Sequence, residues 1–183
     1  MRKSHEKRLA IKVGKLASVT LLLSLASAAI QPVLTAEDRK NGCAGPEYRQ
    51  FDFWLGDWDV FDLGNTGPAV AHTRVDQILG GCALHEDYQG TDGHSGESFT
   101  IYDHVRKVWH QTWVTNGGVL VVIEGRIQGS AMVLKGNDYT AGELVRGRWE
   151  PENGNVRETA VTSTDGGKTW KPWFDLLFRA HKL

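Results

Sequence analysis

Ser163-Thr164-Asp165-Gly166-Gly167-Lys168-Thr169-Trp170, the stretch STDGGKTW, decides between two all-β architectures. Its S-x-D-x-G-x-T-W form is that of a tight hairpin. Asp165 accepts hydrogen bonds from backbone N–H groups across its own turn, Gly166 and Gly167 tolerate positive φ, and Thr169 and Trp170 begin the next strand. Repeated about every forty residues, such a turn builds the blades of a propeller. The chain carries one copy, so the motif is a structural turn and the fold lies in the strands it joins.

Outward from this turn, Gly64-Asn65-Thr66-Gly67-Pro68, Gly80-Gly81, Thr91-Asp92-Gly93, Asn116-Gly117-Gly118, Gly129-Ser130, Gly136-Asn137-Asp138 and Asn153-Gly154 punctuate the chain. The spacing, roughly ten to fourteen residues, is that of an all-β sandwich or barrel. Strands are predicted near 57–63, 69–79, 82–89, 97–104, 107–115, 118–128, 131–135, 143–151, 155–163 and 170–180. Short connections make sequence neighbours antiparallel, which favours a meander over a Greek key. Closing that meander removes exposed edges and gives a single antiparallel up-and-down β-barrel of roughly 8–10 strands, an architecture whose interior often holds a small ligand. Gln50–Leu55 is the one stretch that reads as a helical turn, closing one end of the sheet.

The chain ahead of the strands has a different composition. Arg2, Lys3, Lys7, Arg8, Lys12 and Lys15 precede the apolar run 16–25 and an Ala26-Ser27-Ala28 site, which reads as a signal peptide over 1–28 and an exported, periplasmic or secreted protein. A linker over 29–46 then leads to one domain over 47–183. Without residues 1–28 the chain holds 15 basic and 21 acidic residues, a net charge of −6. That balance argues against nucleic acid or anionic lipid as the main partner, and no stable membrane insertion is expected once the leader is removed. Cys43 and Cys82 are the only cysteines; in an oxidising compartment they read as a disulfide, with two free thiols as the alternative.

Period-two geometry assigns faces to the strands. In Lys107–Val114, Trp109, Gln111 and Trp113 share one face, where two indoles flanking an amide suit a pocket wall. In 82–89, Cys82, Leu84, Glu86 and Tyr88 share a face, with His85 on the other. An inward Glu86 needs a partner, and Arg146 or Arg148 could supply it; Arg148 could equally meet a ligand's polar end. His72, His85, His94, His104 and His110 show no metal-ligand spacing, so no metal is expected, and no G-x-S-x-G elbow is present.

Gly56-Asp57-Trp58 at the start of the first strand, with Arg179 on the last, looks like the lipocalin and fatty-acid-binding (calycin) barrels, in which a first-strand Trp packs near a late Arg. The resemblance gives Trp58 and Arg179 a structural role at the barrel base, beside that of Asp165 in its turn. The longer pattern of FDFWLGDWDV, GCALHEDY, SFTIYD, KVWHQTWV, RGRW and STDGGKTW resembles an uncharacterised bacterial domain-of-unknown-function family with a calycin-like barrel. Ala160, Val161 and Leu176 depart from that family's pattern, where Trp, Glu and Gly are expected. Nitrobindin-type barrels use a late His as haem ligand, but His181 lies close to the chain end and is expected to be solvated, so no cofactor is expected.

These readings converge on an exported barrel that binds a small hydrophobic or amphipathic molecule through Trp109, Gln111, Trp113, Glu86 and Arg148. The alternatives are a small barrel enzyme (isomerase, cyclase or lyase) with Glu86 or His85 as acid or base, and a structural or interaction protein of the cell envelope.

Overall fold

A computed structural model describes residues 42–64 and 66–182. The signal peptide expected over 1–28 and most of the expected linker lie outside the described residues. Ten strands follow in order: β1 (Gly56–Asp62), β2 (Ala71–Ile78), β3 (Ala83–Gly90), β4 (Ser95–Asp103), β5 (Val108–Thr115), β6 (Leu120–Gln128), β7 (Ala131–Asp138), β8 (Glu143–Glu152), β9 (Asn155–Ser163) and β10 (Lys171–Ala180). Each pairs antiparallel with its sequence neighbours, and β10 closes on β1 through a register running from Trp58↔Ala180 to Asp62↔Leu176. The molecule is a closed up-and-down barrel of calycin-like form.

Short aspartates make the turns. Asp103 Oδ1 accepts the N–H groups of Val105 and Arg106 between β4 and β5, and Asp138 Oδ1 accepts those of Thr140 and Ala141 between β7 and β8. In the turn between β9 and β10, Asp165 accepts from the backbone of Lys168 and Thr169 and from the Thr169 hydroxyl, while Ser163 Oγ donates to it. Gly166 and Gly167 take φ of 74° and 87° there, as the motif requires.

The strand bounds differ most from expectation at β7, which runs through Gly136-Asn137-Asp138 instead of turning there. Gly136 is present because the sheet is tightly coiled against β6: a Cβ at this position would lie 2.0 Å from the Val122 carbonyl oxygen. Glycines also make room for indoles. A Cβ on Gly56, Gly96 or Gly147 would fall 2.5, 2.4 or 2.7 Å from the rings of Trp58, Trp113 and Trp149 respectively, so each tryptophan lies over a bare backbone two residues along or one strand across.

The chain before β1 forms two 3₁₀ turns, Pro46–Arg49 and Asp52–Trp54, in place of one turn over Gln50–Leu55. They close one end of the barrel. Phe51 stacks on Trp54 at 5.0 Å and meets Trp109 and Trp149 edge-on at 5.7 and 5.6 Å, making a buried aromatic floor. The Cys43–Cys82 disulfide ties this segment to the β2–β3 connection, and Arg49 donates to the Gly81 carbonyl beside it.

One expectation is corrected at this end. Arg179 does not stack on Trp58; β10 parity turns it outward, with its guanidinium 4.3 Å from the Phe61 ring. Trp58 faces inward and donates its indole N–H to the Trp54 carbonyl. Arg49, from the segment before β1, supplies the basic side chain that ties down the base.

Candidate functional site

Above the floor the barrel interior is not filled. A cavity of about 320 Å³ is walled by Trp113, Val121, Ile123, Val145, Trp149, Ala160, Leu176 and Phe178, with Tyr88, His94, Trp173 and Phe174 toward its open end. The inward positions on β5, β8 and β10 alternate, so Trp109, Trp149 and Phe178 lie toward the floor, and Trp113, Val145 and Phe174 toward the mouth. A cavity of this size with a mainly apolar wall is within the range of small-molecule sites.

Two carboxylates interrupt that wall. Glu86 projects inward from β3 and Glu158 from β9, four strands away around a ring of ten, so the two come from nearly opposite sides. Ser98 Oγ donates to Glu86 Oε2 at 3.0 Å. Thr73 Oγ1 lies 3.3 Å from Oε1 but closer, 3.0 Å, to the Asp87 carbonyl, so its single proton is divided between them. Gln111 gives its amide hydrogens to Thr100 and Ser98 at 3.1 and 3.4 Å, which leaves Ser98's own proton for Glu86. The Gln111–Ser98–Glu86 chain therefore fixes one carboxylate from behind.

Glu158 has much less support. The Trp149 indole N–H favours its anion without closing a full hydrogen bond to it, and its free surface faces the cavity. Among the described residues, no lysine or arginine pairs with either acid. Burial pushes the Glu86 carboxyl up to about 7 against the pull of the Ser98 and Thr73 hydroxyls. Burial, then the charge of Glu86, drives Glu158 well above the usual carboxylate range. Tyr88 is pushed up to about 12, first by burial and then by the charges of Glu158 and Glu86.

Of the residues singled out in the sequence, Glu86, Gln111 and Trp113 line the cavity, while Trp109 lies beneath it, its indole N–H donating to Gln50 Oε1 at 3.2 Å. Arg148 does not reach the interior. Parity places it outside, where it donates to Glu150 at 2.9 Å, and Arg146 lies outside over the Trp170 ring. His85 is also outward, bonded to Glu97 at 2.9 Å with its ring against Phe99. Glu158 was missed, although Val156-x-Glu158-x-Ala160 carries the same inward-acid alternation that marks Glu86.

Among the described residues, one group of potential metal ligands that includes histidines comes together, outside the barrel. Asp57, His72 and His181 bring one potential ligand atom each within 4.8 Å of one another across β1, β2 and the end of β10. His181 is not frayed: Nδ1 bonds Asp59 at 2.8 Å, which raises the pKa of the ring, and its backbone N–H donates to the Asp57 carbonyl. His72 bonds Asp57. These groups satisfy one another on the outer wall, remote from the lumen.

Fold and cavity together define a closed antiparallel barrel with an apolar, acid-bearing interior site. No protein-family model matches the sequence and no curated protein is found similar to it, so the functional argument rests on the site.

Proposed function

We propose that this protein is an exported barrel that binds a small, largely apolar molecule in its lumen, with the polar end of the ligand at Glu86 and Glu158. The observation that carries the reading is the unfilled interior: about 320 Å³ of space above a packed aromatic floor, in a barrel whose core could have been closed by larger side chains. Close packing is the norm for protein interiors, and a cavity of this size forfeits contacts unless a ligand supplies them. Export is supported by the basic and apolar leader and by the Cys43–Cys82 pair. No helix among the described residues is long and apolar enough to cross a membrane.

Ala160, buried on β9 and lining the cavity, is the position at which to test this. Ala160→Trp fills the space without altering either acid. Titration with a neutral, polarity-sensitive naphthalene dye is expected to give saturable emission with the native chain and at least a tenfold loss of affinity with the variant. Equal dye binding by both would place the dye elsewhere and remove the lumenal reading.

A second reading, a single-residue acid–base enzyme, draws support from Glu86. A carboxyl pushed up to about 7 is poised to give and take a proton near neutral pH, the requirement for an isomerase, cyclase or lyase. Turnover of a cyclic or unsaturated compound, abolished in Glu86→Gln and with a kcat inflection near neutrality, would establish it. Loss of the dye site with no turnover of such compounds would count against it.

A further inference from the structure

The two lumenal carboxylates say what kind of small molecule fits. Calycin-like barrels invite the expectation of a fatty acid, whose carboxylate needs an interior arginine. Here the arginines predicted to serve, Arg146 and Arg148, are both outside, and the cavity lining among the described residues contains no lysine or arginine. Its charged groups are two acids. An anionic ligand would bring its charge against two acids in an enclosed space, with no lysine or arginine in the lining to offset it.

We propose that the lumen selects an organic cation, an amine on a compact apolar body, and rejects the corresponding acid; this rests on the lumenal reading above. The ammonium is placed between Glu86 and Glu158. Three acceptors line the same cavity: Glu86 Oε1, which only shares the Thr73 proton; the Glu158 carboxylate, with no full hydrogen bond; and Gln111 Oε1, since the Gln111 amide hydrogens go to Ser98 and Thr100. A primary ammonium carries three N–H donors, matching this set. A neutral hydroxyl offers one donor and leaves two enclosed acids uncompensated.

The remaining wall favours the same choice. Tyr88, Trp113, Trp149, Trp173, Phe174 and Phe178 give the cavity an aromatic lining, and the faces of such rings attract a cation while their area holds its apolar body. The mutual influence of the titrating groups agrees. Glu86 opposes ionisation of Glu158, and both oppose that of Tyr88, so the acids retain protons in the lumen, and a bound cation favours their carboxylate forms. His94 at the mouth is the one basic side chain lining the cavity; it faces Tyr88 at 6.5 Å between ring centroids and makes no ion pair with either acid.

The test uses three compounds of one shape against the dye-loaded full chain at pH 8: 2-phenylethylamine, 2-phenylethanol and 3-phenylpropanoate. The amine is expected to displace the dye at a concentration at least tenfold below that of the alcohol, with the acid weaker than both. In Glu158→Gln, and separately in Glu86→Gln, the amine-to-alcohol ratio is expected to fall at least threefold, with circular dichroism reporting that each variant is folded. Equal displacement by amine and alcohol in a native chain that binds the dye would overturn the cation inference and leave the lumenal reading standing. Failure of the dye to bind at all would overturn both. A preference for amine that persists undiminished in both variants would mean that neither acid holds the cation, which also overturns the proposal.

Discussion

Glu86 carries a stability consequence as well as a binding one. Its pKa is raised from 4.5 to about 7, so between those values the folded chain holds a proton that the unfolded chain has released. Stability therefore falls as pH rises through that window, by about 3 kcal/mol for the whole shift. Asp165 works in the opposite sense: the hydrogen bonds of its turn hold its carboxyl below the usual range, so its contribution is present at neutral pH and lost in acid. The native chain blends both trends, and Glu158 has the same sense as Glu86. Comparing Glu86→Gln with the native chain in urea at pH 5 and pH 8 isolates the one group. The variant is expected to gain up to about 3 kcal/mol on the native chain between the two pH values; no change in the difference would show that Glu86 stays ionised. Alternation groups Glu86 with Cys82, Leu84 and Tyr88 on one face without saying whether that face is inward, and the same rule groups Glu158 with Val156 and Ala160. What alternation cannot give is that residues 72 positions apart look at each other across a lumen, or that hydroxyls of Thr73 and Ser98, rather than an arginine, receive the buried acid.

At the scale of the strand, hydrophobic period and turn residues located all ten elements, and the errors have a common cause. Gly136-Asn137-Asp138 has turn composition, yet β7 continues through it because glycine there answers a close backbone approach and Asp138 caps the turn that follows. Glycine has two uses in a strand-rich chain, and local sequence does not separate them. Gly136→Ala tests the second use: its Cβ would sit 2.0 Å from the Val122 oxygen, which is backbone and cannot swing aside. A loss of about 1–3 kcal/mol in unfolding free energy is expected, read as a lower denaturation midpoint, whereas a position without a close backbone neighbour would show little. The exchange of Arg179 for Arg49 at the base has a similar origin. A partner on a neighbouring strand can be checked by parity once the register is known, as for Arg179 opposite Asp59, but a guanidinium arriving from a non-strand segment leaves no periodic trace.

For the whole molecule, closure followed from counting short turns, because a ten-strand meander without long crossovers brings its first and last strands together. The plug was less legible. Phe51 and Trp54 lie in a stretch with helical composition, and their role depends on Trp109 and Trp149 arriving from distant strands to receive them. The disulfide holds this plug in place by joining residues 39 apart. Replacing both cysteines in Cys43→Ser/Cys82→Ser is expected to cost roughly 4 kcal/mol through the freed unfolded chain, read as a lower urea midpoint, with the dye site retained because the lumen walls are strands. Loss of the dye site in a folded variant would mean that the plug also shapes the cavity. A floor that is both packed and covalently anchored leaves the vessel with a single door. A guest departs by the way it came, and its successor waits outside until the threshold is clear; residence time then belongs to the occupant, and crowding at the entrance does nothing to hurry it.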